Sequence, residues 1–147
     1  MTMTPPIKQR SAVIAAIVGM WLLASLGVFI VIRTGHWSIF PSDDKSATIA
    51  QVGAFYLAFF GAQLPAIAFV AFIISRSAFR HPVLVAGLVT FIYQLVRFAI
   101  HVARWPRSRA SDIEWWVPVG FDLAGIIVLA LLVMVMAWML RRANKAL

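Results

Sequence analysis

The 147-residue sequence contains no cysteine. That absence excludes disulfides, thiolate metal sites, iron–sulfur ligation and dithiol redox chemistry. Acid is scarce: five Asp and Glu stand against thirteen Lys and Arg, a formal net charge of +8. All charged residues together make up 12% of the chain, where a soluble domain carries about 25%. Glycine-rich phosphate loops, H-E-x-x-H, G-x-S-x-G and dinucleotide fingerprints are all missing, as are low-complexity segments and internal repeats. What is present is apolar: 63% of residues are hydrophobic and the mean hydropathy is +0.92. A soluble globular protein, a disordered tail and a coiled coil are excluded, which leaves an integral membrane protein.

Four apolar runs account for most of the sequence. Ala12 to Ile32 is uncharged for 21 residues and lies between Arg10 and Arg33. It is longer than the apolar part of a signal peptide and closes on bulky residues, so it reads as a retained span. Ser46 to Ser75 is uncharged for 30 residues, more than a bilayer needs, so a tilted helix over about 49–74 is expected, with a kink at Pro65. The third run starts at Pro82, where a first helical turn accepts proline, and extends to about 103. The fourth covers about 116–140 and stops at Arg141-Arg142. The expected fold is all-α: a four-transmembrane-helix bundle forming a single membrane domain over residues 1–147.

Four spans put both termini on one side. That side would hold Lys8, Arg10, Arg76, Arg80, Arg141, Arg142 and Lys145 with no acidic residue. The other would hold Arg33, Lys45, Arg104, Arg107 and Arg109 with Asp43, Asp44, Asp112 and Glu114. The basic bias favours cytoplasmic termini in the plasma (inner) membrane, and Trp37, Trp105, Trp115 and Trp116 would then belt the outer interface. The positive charge is explained by topology and by anionic lipid headgroups. No basic, aromatic-interleaved soluble segment exists to bind nucleic acid.

Polar residues within the spans carry the functional signal. Gly87, Thr90, Gln94, Arg97, His101 and Arg104 are spaced 3, 4, 3, 4, 3, which is one helix face. Arg97 lies eight residues before Trp105, and Asp122 lies six after Trp116. At 1.5 Å per residue both charges sit at similar depth, about 9–12 Å inside the outer interface. They are the only charges inside any span, and they are opposite, so they are expected to pair. Either the pair pins the third helix to the fourth, or it lines an outer cavity with Tyr93, Gln94 and His101. His36 and His101 could share a depth, but neither has a second-shell partner for haem ligation; His81 reads as a solvated loop residue. Tyr56 and Gln63 share one face of the second span. Ala54, Ala58, Ala62 and Ala66, and on the first span Ala12–Ala16 and Ala15–Gly19, form small-residue ridges for close helix packing within the bundle or in a homodimer. Asp43, Asp44, Asp112 and Glu114 read as solvated loop charge without a calcium-loop signature. No metal and no cofactor is expected.

One resemblance adds to this. Val52-Gly53-Ala54-Phe55-Tyr56-Leu57-Ala58 opens the second span, Arg80-His81-Pro82 turns into the third, Arg97-x-x-x-His101 ends it, and Asp122 marks the start of the fourth. The pattern is similar to small, distantly DoxX-like four-helix membrane proteins common in actinobacteria. In that group the third span often ends in two histidines one turn apart. Here the first of those positions is Arg97. The resemblance implies a left-handed four-helix bundle in the plasma membrane and no established activity. The expected function is therefore that of a non-enzymatic accessory subunit or a bundle binding a small molecule or lipid, with a membrane-protein partner or a second copy. A small membrane enzyme using Tyr93, Gln94, Arg97, His101 and Asp122 on a lipid or quinone-like substrate is the alternative, and a small dimeric transporter a third reading.

Overall fold

The small-residue ridge of the first run becomes the inner seam of a long helix, α1 (Gln9–Arg33). Ala12, Ala16, Met20 and Ala24 recur every four residues and are buried along its length. The computed structural model describes residues 7–33, 49–104 and 116–146; of His101, Arg104, Trp116 and a few other residues at helix ends it describes the backbone alone. His36, Trp37, Trp105 and Trp115 and the acidic positions 43, 44, 112 and 114 lie outside the described residues.

The second apolar run forms two helices, α2 (Ile49–Gly61) and α3 (Leu64–Ser75), in place of one kinked helix. Pro65 explains the difference. It has no N–H to donate to the Gly61 carbonyl, and its ring would collide with that carbonyl in a continuous helix. The Ala62 N–H still reaches the Ala58 carbonyl at 3.0 Å, the Gln63 N–H tightens onto the Phe60 carbonyl at 3.0 Å, and the Ile67 N–H restarts the ladder on Gln63 at 3.1 Å. Close packing holds the break in place. A Cβ on Gly27 of α1 would strike the Ala62 carbonyl oxygen, so only glycine lets α1 approach there. The alanine ridge is split by the same turn: Ala54 is exposed on α2, whereas Ala66 is fully buried on α3.

Two further helices complete the bundle. α4 (Pro82–Arg104) follows the short 76–81 connection, and α5 (Trp116–Ala146) continues past Arg141-Arg142 because the residues there are good helix formers. Arg142 assists by lying 4.0 Å from the Trp138 ring centre one turn earlier. Helix α3 sits centrally and packs on α1, α4 and α5; α4 and α5 form the other extensive interface. A core of Ala66, Ile67, Val70, Ala71 and Ile74 of α3 meets Ala86 of α4 and Leu129, Val133 and Ala137 of α5.

Burial is inverted relative to a soluble protein. Leu22, Leu57, Leu84 and Val128 point outward, while Gln63, Thr90, Gln94 and Asp122 are buried. Among the described residues, four segments are long and apolar enough to cross a membrane: Gln9–Val31, Val52–Ser75, Pro82–Ile100 and Val119–Asn144. An apolar exterior over polar helix contacts is the pattern a lipid solvent selects. At the end carrying the termini, the chain before α1 is fastened to the α3–α4 connection. Ile7 pairs with Ser77 in a single parallel bridge, and the Gln9 side-chain amide donates to the Ala78 carbonyl at 3.0 Å.

Candidate functional site: a polar ring across three helices

The polar stripe of the third run is the face α4 turns inward. Gly87, Thr90 and Gln94 are buried and Arg97 is half-buried, while Leu84, Leu88, Phe91, Ile92, Leu95 and Val96 face outward. Gly87 gives α5 room: a Cβ there would lie 2.7 Å from the Met134 side chain. Asp122 is delivered by the first turns of α5, and the side chains of Arg97 and Asp122 are 19% and 3% exposed. The two meet: Arg97 Nη2 donates to Asp122 Oδ1 at 3.1 Å.

The pair is part of a longer circuit. Arg97 Nε donates to Gln94 Oε1 at 3.0 Å, and Gln94 Nε2 donates to Gln63 Oε1 at 2.6 Å. Gln63 Nε2 in turn reaches the Phe59 carbonyl at 3.4 Å. On the other side, the Tyr56 hydroxyl donates to Asp122 Oδ2 at 3.3 Å. The run therefore leaves α2 at Tyr56, crosses to α5, returns through α4 and ends back on α2. Tyr56, Gln63 and Phe59 reach it because the Pro65 break ends α2 beside Gln94.

Aromatic rings wall this circuit. The Arg97 guanidinium carbon sits 4.5 Å from the Phe59 ring centre and 5.7 Å from that of Phe60. Tyr56 stacks on Phe121 with centroids 5.4 Å apart and an 11° tilt. Phe60 lies where a Cβ on Gly125 would be, so that glycine admits the ring against α5. A cation held on ring faces and bonded to a carboxylate has its charge compensated without water.

The sequence candidates separate in space. Gln94, Arg97 and Asp122 are joined directly. Tyr93 lies around α4 toward α1, its ring edge-on to Trp21 at 5.5 Å, and no hydrogen bond ties it to Arg97 among the described residues. It lines an apolar groove of about 450 Å³ between α1 and α4, together with Trp21, Ile92 and Val96. The His101 side chain lies outside the described residues. Tyr56 and Gln63 complete the circuit and are not among the sequence candidates; the signal was their shared face seven residues apart, which gave a direction but no partner. Thr90, one turn from Gln94, is fully buried, and its hydroxyl is the one buried side-chain polar atom without a hydrogen bond among the described residues. No group of three His, Asp or Glu able to hold a metal occurs among the described residues. Comparison with family models, with curated proteins and with solved structures returns no match to this chain.

Proposed function

We propose that this multi-pass membrane protein is non-enzymatic, an accessory bundle of the plasma (inner) membrane whose Arg97–Asp122 circuit clamps α2, α4 and α5 together. The supporting observation is the occupancy of the ionisable groups. Each Asp122 oxygen accepts a hydrogen bond from the chain itself, and the Arg97 guanidinium bonds Asp122 and Gln94 through two of its nitrogens and lies on the Phe59 ring. A general base or an oxyanion donor needs a lone pair or N–H aimed at substrate; here the Asp122 oxygens and the Arg97 Nε and Nη2 are engaged by Tyr56, Gln94 and each other. The bias of basic residues supports cytoplasmic termini, with the circuit in the outer half of the bilayer. The likeness to small DoxX-like four-helix proteins belongs to the same proposal.

Native mass spectrometry of the protein, drawn from its own membranes into mild detergent, tests the reading. The expected result is a chain carrying a second polypeptide, with no stoichiometric small molecule that depends on Arg97. A bound small molecule lost in Arg97→Ala would overturn the clamp in favour of a ligand site around Tyr93, Gln94, Arg97, His101 and Asp122.

A further inference from the structure

The opposite end of the bundle holds a feature that the polar circuit does not explain. An apolar groove of about 510 Å³ runs between α3 and α5, lined by Ala68, Phe69, Phe72, Met136, Met139 and Leu140. It lies near the end of α3 that leads into the 76–81 connection, since Phe72 lies one turn before Arg76 and Leu140 directly precedes Arg141. Arg76 lies against the groove wall, its guanidinium carbon 4.4 Å from the centre of the Phe72 ring.

Arg76 caps α3 through its backbone and not through its side chain. The last carbonyls of α3 are taken by others: Ser75 Oγ donates to Phe72, and Ser77 donates to Ile74 through both its hydroxyl and its N–H. The Arg76 carbonyl accepts from the Ile7 N–H. The guanidinium itself makes no hydrogen bond within the chain among the described residues, and the residue is exposed. A planar guanidinium laid on a ring with its donors outward is a receptor for phosphate oxygens. Among the described residues the one acidic side chain is Asp122, and it is paired with Arg97 in the polar circuit.

We propose that this groove is a binding site for one anionic phospholipid, its phosphate on Arg76 and an acyl chain along Phe72, Phe69 and Met136. The charge complementarity selects an anionic over a zwitterionic headgroup. The site is distinct from a diffuse basic surface, because Arg142 at the same end rests on Trp138, which does not line the groove.

The test is native mass spectrometry of the purified full chain with phosphatidylglycerol or phosphatidylcholine of identical acyl chains, helicity being checked by circular dichroism. The wild type is expected to retain one phosphatidylglycerol in preference to phosphatidylcholine. Arg76→Gln should cut that preference severalfold, the step one basic group at an anionic headgroup is worth, whereas Arg142→Gln, which removes no group at the groove, should leave it within about twofold. Ala68→Trp, which fills the groove, should reduce retention of the bound lipid with Arg76 still present. Equal retention of the two lipids by the wild type, or equal loss in Arg76→Gln and Arg142→Gln, would overturn the site in favour of a diffuse field. Either result leaves the outer circuit untouched, so the two proposals fail separately.

Discussion

Removing different polar side chains of the circuit should cost very different amounts, and the burial chemistry ranks them. Gln63 and Gln94 share a neutral hydrogen bond, and such bonds between membrane helices average about 0.6 kcal/mol, with about 1.7 as an upper value. Gln63→Leu is expected to lower bilayer unfolding stability by that amount, measured by steric trapping. Thr90 behaves the other way. Its buried hydroxyl is unpartnered, so Thr90→Val removes a desolvated polar atom at nearly constant shape and should be neutral or stabilising by up to about 1 kcal/mol; a loss of more than that would show the hydroxyl to be engaged. The Arg97–Asp122 approach was legible from sequence, because two tryptophans fix the depth of two lone charges. Tyr56 was not legible as a partner. It sits on a helix whose rotation relative to Asp122 depends on the 62–63 turn, and rotation about a helix axis leaves no trace in spacing.

At the scale of the element, the decisive feature is the break between α2 and α3. Proline announced a disturbance at 65, yet a membrane helix can absorb proline as a kink. The turn is packed against a neighbour: Gly27 lets α1 close on the Ala62 carbonyl, and a glycine in one helix says nothing about which carbonyl it will meet in another. Gly27→Ala and Gly125→Ala should therefore each destabilise by about 1–3 kcal/mol through overpacking against Ala62 and Phe60. Gly61→Ala and Gly120→Ala, where a Cβ meets nothing within 4 Å, should be neutral or slightly stabilising through helix propensity. Thermal melts of the four variants in one detergent check this. Comparable losses in all four would mean that the glycines matter for helix flexibility and not for close approach.

For the whole molecule, composition and run length were sufficient to predict an all-α bundle with four spans, because in lipid every backbone polar group must be satisfied within its own helix. The α3-centred packing was not readable, since apolar helices present similar faces in every direction. The absence of cysteine makes orientation directly testable. A single cysteine at Ser77 or Ala143 should react with membrane-impermeant maleimide only after the cytoplasmic side is opened, and one at Ser108 should react in intact cells. Arg97 and Asp122 are proposed to compensate each other's buried charge and so to act as one structural pair. Bilayer unfolding of the wild type, Arg97→Met, Asp122→Leu and the double variant tests it most directly. Each single change strands a buried charge and should cost about 3–5 kcal/mol, while the double change should return to within about 1 kcal/mol of the wild type. A double variant as unstable as the sum of the two singles would contradict the claim.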